Sequence, residues 1–148
     1  MIDHILLIFR AILLALHIFV GLLLGLGLGL REKFTGNTEA RSHTARWWLR
    51  GLCKVLGIRI KLDGAPIPGT TTLVSNHVSW LDIPVIGSLK PIHFLSKSEV
   101  RQWPVIGWLA AKAGTFFIQR GGGKAGEVGE QLKDCLVKGQ STLFFPEG

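Results

Sequence analysis

The sequence has few of the residues that build disulfide frameworks or zinc sites. Only two of its 148 residues are cysteines, Cys53 and Cys135, and neither belongs to a Cys-x-x-Cys or Cys/His pattern. Neither a disulfide framework nor a zinc site is therefore indicated. We predict two reduced, mostly buried thiols in a cytoplasmic compartment.

Acidic residues are also scarce, with 10 Asp and Glu against 17 Lys and Arg, a net charge of +7. Residues 31–61 hold eight Lys and Arg against two Glu, so +6 of the excess falls there. With 47% hydrophobic residues the chain is too apolar for disorder, and it is too short for a large multidomain enzyme. Because the basic block directly follows the most hydrophobic segment, we expect a membrane surface and no nucleic acid as its partner.

Charge is absent from residues 11–30, a run of 20 residues that would span about 30 Å as a helix. We predict a membrane anchor; the alternative, a cleaved signal peptide, lacks a clear Ala-x-Ala site. Five basic residues follow within 20 positions against Arg10 before the run, so a spanning helix would leave the C-terminal side cytoplasmic. Gly21, Gly25 and Gly29 have a spacing that permits close helix packing.

The segment from Thr44 to Leu56 predicts a second, amphipathic helix with Arg46, Arg50 and Lys54 at every fourth position. Its basic residues and tryptophans suit the lipid headgroup layer, and the alternative is an ordinary helix packed on a core. Residues 1–56 are therefore expected to form a membrane anchor and basic interfacial helix.

Residues 57–148 alternate strand-like and helix-like segments, which predicts an α/β fold with a mostly parallel sheet and flanking helices. The predicted strands are Ile58–Leu62, Thr71–Ser75, Ile92–Leu95, Thr115–Ile118 and Thr142–Phe145. The predicted helices are about Ile83–Leu89, Glu99–Ala113 and Ala125–Val137.

One of the five histidines, His77, has a carboxylate at short spacing inside a strand-to-helix junction. On one continuous helix His77 and Asp82 would lie ~140° apart, so they can meet only if the helix begins between them. Asp82 could then fix the imidazole tautomer and leave the other nitrogen as a base for a substrate hydroxyl. The alternative role for Asp82 is helix capping, either with Ser79 in Ser-x-x-Asp or as the N-cap itself.

Other catalytic patterns are weak or missing. Gly-x-Ser-x-Gly is absent, so direct transfer with a histidine base is simpler than a covalent mechanism. The run from Gly121 to Gly126 satisfies G-x-G-x-x-G and has Glu147 beyond it, which leaves a dinucleotide-binding protein as a lesser alternative.

Three blocks in order, Asn76-His77 with Asp82, 114–120 and 145–148, resemble those of the glycerolipid acyltransferases, the family of 1-acylglycerol-3-phosphate acyltransferase. The segments 97–99 and 103–107 are also similar to that family, and the resemblance covers roughly residues 56–148.

The resemblance implies that His77 deprotonates the hydroxyl of a lysophospholipid, which attacks the thioester of acyl-CoA or acyl carrier protein, while Asp82 orients the imidazole. It implies that Arg120 binds the acceptor phosphate and that Glu147 and Gly148 contribute to acceptor binding. The reaction that the resemblance implies requires no metal and no cofactor. Trp103 to Ala111 would line an acyl-chain groove, touch lipid or pack in the core.

Members of the family normally continue past Phe-Pro-Glu-Gly, whereas this sequence stops at Gly148. We therefore expect an incomplete sheet and a fragment with little or no activity. A non-catalytic membrane-bound lipid-binding module is the alternative function.

Overall fold

The structure is a computed structural model that describes residues 2–65, 67–118 and 125–146. Its α-helices are α1 (Ile2–Thr35), α2 (Ala40–Val55), α3 (Asp82–Leu89), α4 (Ile106–Lys112) and α5 (Ala125–Val137). Its strands are β1 (Thr72–Val74), β2 (His93–Lys97), β3 (Phe116–Ile118) and β4 (Thr142–Phe144), and a short 3-10 helix covers Ser98–Gln102.

The predicted anchor lies within α1, which extends beyond the charge-free run at both ends. Residues His4–Thr35 are long and apolar enough to cross a membrane by length and composition, and little of this stretch is buried in the protein. Large apolar side chains such as Phe9, Ile12 and Phe19 are more than half exposed. An exposed apolar surface of this extent is typical of contact with a membrane or with another protein.

A reciprocal pair of hydrogen bonds joins α1 to α2. The indole Nε1 of Trp48 donates to the carbonyl oxygen of His17, and His17 Nε2 lies 3.0 Å from the carbonyl oxygen of Trp48. The two rings stack with their centroids 4.9 Å apart. A Cβ at Gly21 would lie 2.7 Å from the Trp48 ring, so the close approach of α1 and α2 requires glycine there.

The rest of the glycine stripe of α1 packs against α4. A Cβ at Gly25 would lie 2.6 Å from the ring of Trp108, and one at Gly29 would lie 2.8 Å from Lys112 Nζ. The spacing that permits close helix packing is thus used inside this chain. The glycine face of α1 packs against α2 and α4. Lipid therefore cannot contact the second half of α1 on all sides.

The buried side of α2 packs on α3. Leu52 and Cys53 are buried, and Arg46 Nε donates to the carbonyl oxygen of Ser88 at 3.3 Å. Trp47 remains 64% exposed. The helix is therefore amphipathic as predicted and packs on the core, while its contact with headgroups stays a prediction.

The strands form one four-stranded sheet in the order β1-β4-β2-β3, with every pairing parallel. This confirms the predicted α/β fold with a parallel sheet. Strand β4 lies at the centre, where Leu143 is 1% exposed and Thr142 is fully buried. In such sheets the carboxyl ends of all strands meet at one edge, where ligands commonly bind.

Two predicted elements are wrong. Residues 58–62 alternate apolar and basic side chains but form no strand, and Ile60 and Leu62 are exposed. The predicted helix Glu99–Ala113 divides into the 3-10 helix and α4. Between them Pro104 lacks an N–H for helical bonding, and Val105 has a φ of 61°, which no continuous α-helix accommodates.

Candidate active site

The strand-to-helix junction after β1 brings His77 and Asp82 together. His77 follows the last residue of β1 by three positions and lies in a loop, whereas Asp82 is the first residue of α3. Their side chains meet with His77 Nδ1 3.1 Å from Asp82 Oδ2. The break between loop and helix thus makes a spacing of five residues compatible with direct contact.

The same carboxylate oxygen also organises the turn between them. The backbone N–H groups of Ser79 and Val78 donate to Asp82 Oδ2 at 2.9 and 2.8 Å. The bond from Ser79, followed by those from Val78 and His77, holds the pKa of Asp82 below its ordinary value of 3.8. Asp82 therefore faces His77 as a carboxylate at neutral pH.

The carboxylate of Asp82 contacts both the turn before α3 and the imidazole. It accepts from the N–H of Ser79 three residues earlier, and the Oγ of Ser79 accepts from the N–H of Leu81 at 3.3 Å; because Ser79 is not the N-cap, these bonds close a turn and do not form the predicted capping box. Asp82 is not the N-cap, because that position belongs to Leu81. One carboxylate thus closes the turn and contacts the imidazole.

This geometry determines what His77 offers to a substrate. A carboxylate on Nδ1 favours the tautomer with a proton there, which leaves the lone pair on Nε2. No residue of the described parts of the chain hydrogen-bonds Nε2, and the His77 side chain is 27% exposed. His77 can therefore accept a proton from a hydroxyl that approaches from outside.

Phe145 is a further site residue that the sequence reasoning missed. Its ring stacks on His77, with centroids 4.3 Å apart and planes 23° from parallel. The two meet because β1 and β4 are neighbours, with the N–H of Ser75 3.4 Å from the carbonyl oxygen of Phe144. Phe145 has no reactive group to mark it; the available signals were its place in the block 145–148 and its position one residue after a strand that ends at the same sheet edge.

The other predicted site residues, Arg120, Glu147 and Gly148, lie outside the described residues, as do residues 121–124 of the glycine-rich motif 121–126. Strand β3 ends at Ile118, two positions before Arg120, and β4 ends at Phe144, three positions before Glu147. Their predicted roles stay predictions.

An apolar cavity of about 170 Å³ lies where α1, α2 and α4 face the sheet. It is lined by apolar side chains that include Leu24, Trp48, Ile83, Phe94 and Leu109. Ile83 directly follows Asp82, so one part of the lining belongs to the helix that carries the carboxylate. Within the predicted groove segment Trp103 to Ala111, residues such as Ile106 and Leu109 line this cavity, whereas Trp103 is 58% exposed.

The remaining buried polar groups serve the fold. His93 is buried, with Nδ1 3.0 Å from the carbonyl oxygen of Gly114, and burial lowers its pKa. Cys53 and Cys135 are free and buried, as predicted, and burial raises the pKa of both thiols. Within the described parts of the chain no three His, Cys, Asp or Glu side chains lie close enough to hold a metal ion.

Fold and site together define an α/β protein with an apolar N-terminal helix and a histidine–carboxylate pair at the carboxyl edge of a parallel sheet. The acyltransferase family model matches residues 61–148. The chain belongs to the acyltransferase family, and this confirms the resemblance found in the sequence.

Curated relatives extend the match into the N-terminal helices. A lyso-ornithine lipid O-acyltransferase of Pseudomonas aeruginosa is 47% identical over 131 residues, which cover 84% of this chain and 51% of the relative. Another from Rhodobacter capsulatus is 42% identical over 94 residues, 64% of this chain and 34% of the relative. A 1-acyl-sn-glycerol-3-phosphate acyltransferase of Neisseria meningitidis is 34% identical over 125 residues, 82% of this chain and 49% of the relative.

The chain spans about half the length or less of these relatives. No solved structure matches it significantly.

Proposed function

We propose that the protein carrying this chain transfers a fatty acyl group from a thioester donor to the free hydroxyl of a lysolipid, with His77 as general base and Asp82 as the residue that orients it. The observation that carries the proposal is the 3.1 Å contact between His77 and an ionised Asp82 at the carboxyl edge of the sheet. The family and the named activities of the relatives support it.

The reaction uses Nε2 of His77, which no residue of the described ranges hydrogen-bonds. This nitrogen accepts the proton of the acceptor hydroxyl while the hydroxyl oxygen attacks the thioester carbonyl. The C–S bond then breaks, and the leaving thiolate takes the proton from the imidazolium, which yields an ester and a free thiol. Asp82 stabilises the imidazolium that forms in between. The donor is acyl-CoA or acyl carrier protein.

The acceptor we propose is a lysophospholipid such as 1-acylglycerol-3-phosphate. Arg120 would bind its phosphate, because a guanidinium pairs bidentately with such anions, and Glu147 and Gly148 would contribute to the same site. A lyso-ornithine lipid is the second candidate, favoured by the 47% identity to a relative of that name. Its carboxylate would suit the same guanidinium.

The membrane supplies the lipid substrate. We propose that α1 anchors the chain, that the basic face of α2 contacts headgroups, and that residues 57–148 lie on the cytoplasmic side. The apolar cavity beside Ile83 would hold part of an acyl chain. That residues 1–148 alone have little or no activity stays a prediction.

The test is an assay of thiol release from acyl-CoA or acyl carrier protein. It uses membranes from cells that express the full reading frame carrying this sequence. Release is measured with lysophosphatidic acid, with lyso-ornithine lipid and with no acceptor. Arg120→Ala should raise the KM of the preferred acceptor, while Arg59→Ala, at an exposed loop position, should not. A wild type that binds vesicles but releases no thiol with any lysolipid would instead support the non-catalytic lipid-binding module.

A further inference from the structure

The ring of Phe145 stacks against His77, and the proposed chemistry gives this contact no role. The hydrogen bond to Asp82 holds the imidazole at Nδ1, and this one contact still permits coupled rotations about χ1 and χ2 of His77. Such a rotation would swing Nε2 away from a bound hydroxyl. Something else must fix the plane of the ring.

Phe145 is placed to do so. Its ring lies over one face of the imidazole at a centroid distance of 4.3 Å and 23° from parallel, a stacked arrangement. Aromatic pairs of this geometry attract each other beyond the area that they bury. The contact also denies water that face of the imidazole.

The backbone that carries Phe145 is itself well fixed. Thr142, three residues earlier, is fully buried, and its Oγ1 lies 3.0 Å from Oγ1 of Thr72 in β1. Strands β1 and β4 pair in register from Thr72↔Thr142 to Val74↔Phe144. The strand pairing therefore sets the position of Phe145 relative to the loop that carries His77.

We infer that Phe145 is a positioning residue for His77: its ring fixes the imidazole plane so that Nε2 faces the acceptor hydroxyl. The inference rests on the proposed function, since it concerns the base of that reaction. It assigns Phe145 no contact with either substrate. Its loss should therefore lower kcat and leave the KM of donor and acceptor nearly unchanged.

The first measurement is independent of activity. In histidine-labelled protein expressed from the full reading frame and held in detergent micelles, a stacked ring shifts the His77 carbon-bound ring protons upfield. Phe145→Leu should abolish this shift, and Phe145→Tyr should keep it. Phe144→Leu makes the same change at the neighbouring residue; because successive side chains of an extended chain alternate in direction, this variant should also keep the shift. An unchanged His77 spectrum in Phe145→Leu would overturn the inference.

The second measurement is the kinetics of the full reading frame. Phe145→Leu should lower kcat about two- to tenfold, with the KM of donor and of acceptor within about twofold of wild type. Phe145→Tyr should keep kcat near the wild-type value. An unchanged kcat, or a loss confined to KM, would contradict the positioning role even where the spectra show the stack. A wild type without acceptor-dependent thiol release would instead refute the proposed function and the catalytic part of the inference, while the spectra still decide whether the rings stack.

Discussion

Nδ1 of His77 and Oδ2 of Asp82 lie 3.1 Å apart across the point where a loop becomes helix α3. The same oxygen accepts the N–H groups of Val78 and Ser79, so the turn that closes the loop also fixes the carboxylate. The local backbone therefore sets where the carboxylate meets Nδ1 of the proposed base.

Removing the charge of Asp82 should impair catalysis with little effect on substrate binding. In Asp82→Asn the amide oxygen can still accept the turn hydrogen bonds, but it no longer stabilises an imidazolium on His77. We expect kcat to fall about 10- to 1000-fold with KM nearly unchanged, measured as acceptor-dependent thiol release. Asp63→Asn, the same change at an exposed loop position, is the control. Equal rates for Asp82→Asn and wild type would show that the carboxylate serves the turn alone.

Asp82 should also make stability depend on pH. Because its pKa is lowered in the folded state, its stabilising effect is complete above the ordinary value of 3.8 and is lost as pH falls through the lower folded value. The Tm of Asp82→Ala in detergent should lie below that of wild type at neutral pH, and the two should converge below about pH 4. A Tm difference that stays constant down to pH 3 would mean that ionisation of Asp82 contributes nothing to folding.

The glycine face of α1 gives a matched pair of substitutions. A Cβ at Gly25 would overlap the Trp108 ring, whereas a Cβ at Gly27 meets nothing within 4 Å. Gly25→Ala should cost about 1–3 kcal/mol of packing, partly offset by better helix propensity, whereas Gly27→Ala gains up to about 1 kcal/mol from propensity alone. Thermal unfolding in detergent should therefore rank Gly27→Ala above Gly25→Ala. The opposite order would contradict the packing of α1 on α4.

The threonine pair between β1 and β4 should respond asymmetrically. Thr142 is fully buried and Thr72 is exposed, and their hydroxyls lie 3.0 Å apart. Thr72→Val leaves a buried hydroxyl without this partner and should cost about 1–3 kcal/mol, whereas Thr142→Val leaves a hydroxyl that water can reach and should cost about 1 kcal/mol or less. Denaturant unfolding of both variants checks the order, and a larger loss for Thr142→Val would show that the hydroxyl pair does not determine it.

Local chemistry made much of the molecule predictable. Apolar runs between turn residues located β1, β2, β3 and β4, which pair as one sheet. His77 and Asp82 were predictable as a pair because both belong to one strand-to-helix junction. The strand predicted for residues 58–62 was wrong because alternating apolar and polar side chains form a strand only where a partner strand exists.

Long-range order was not predictable in the same way. Phe145 meets His77 because β4 inserts next to β1, and this order depends on the packing of the whole sheet. The close contacts of Gly21 with Trp48 and of Gly25 with Trp108 likewise depend on how three helices meet. The glycine spacing showed that α1 could pack closely, but it did not identify the partner.

The most direct test of the central claim is acceptor-dependent thiol release by wild type and by His77→Ala, both expressed from the full reading frame and compared at equal amounts in the membrane. If Nε2 of His77 is the base, the wild type should release thiol only when a lysolipid is present, and His77→Ala should lower kcat about 10²- to 10⁴-fold. Thiol release that depends on the lysolipid and is undiminished in His77→Ala would contradict the account.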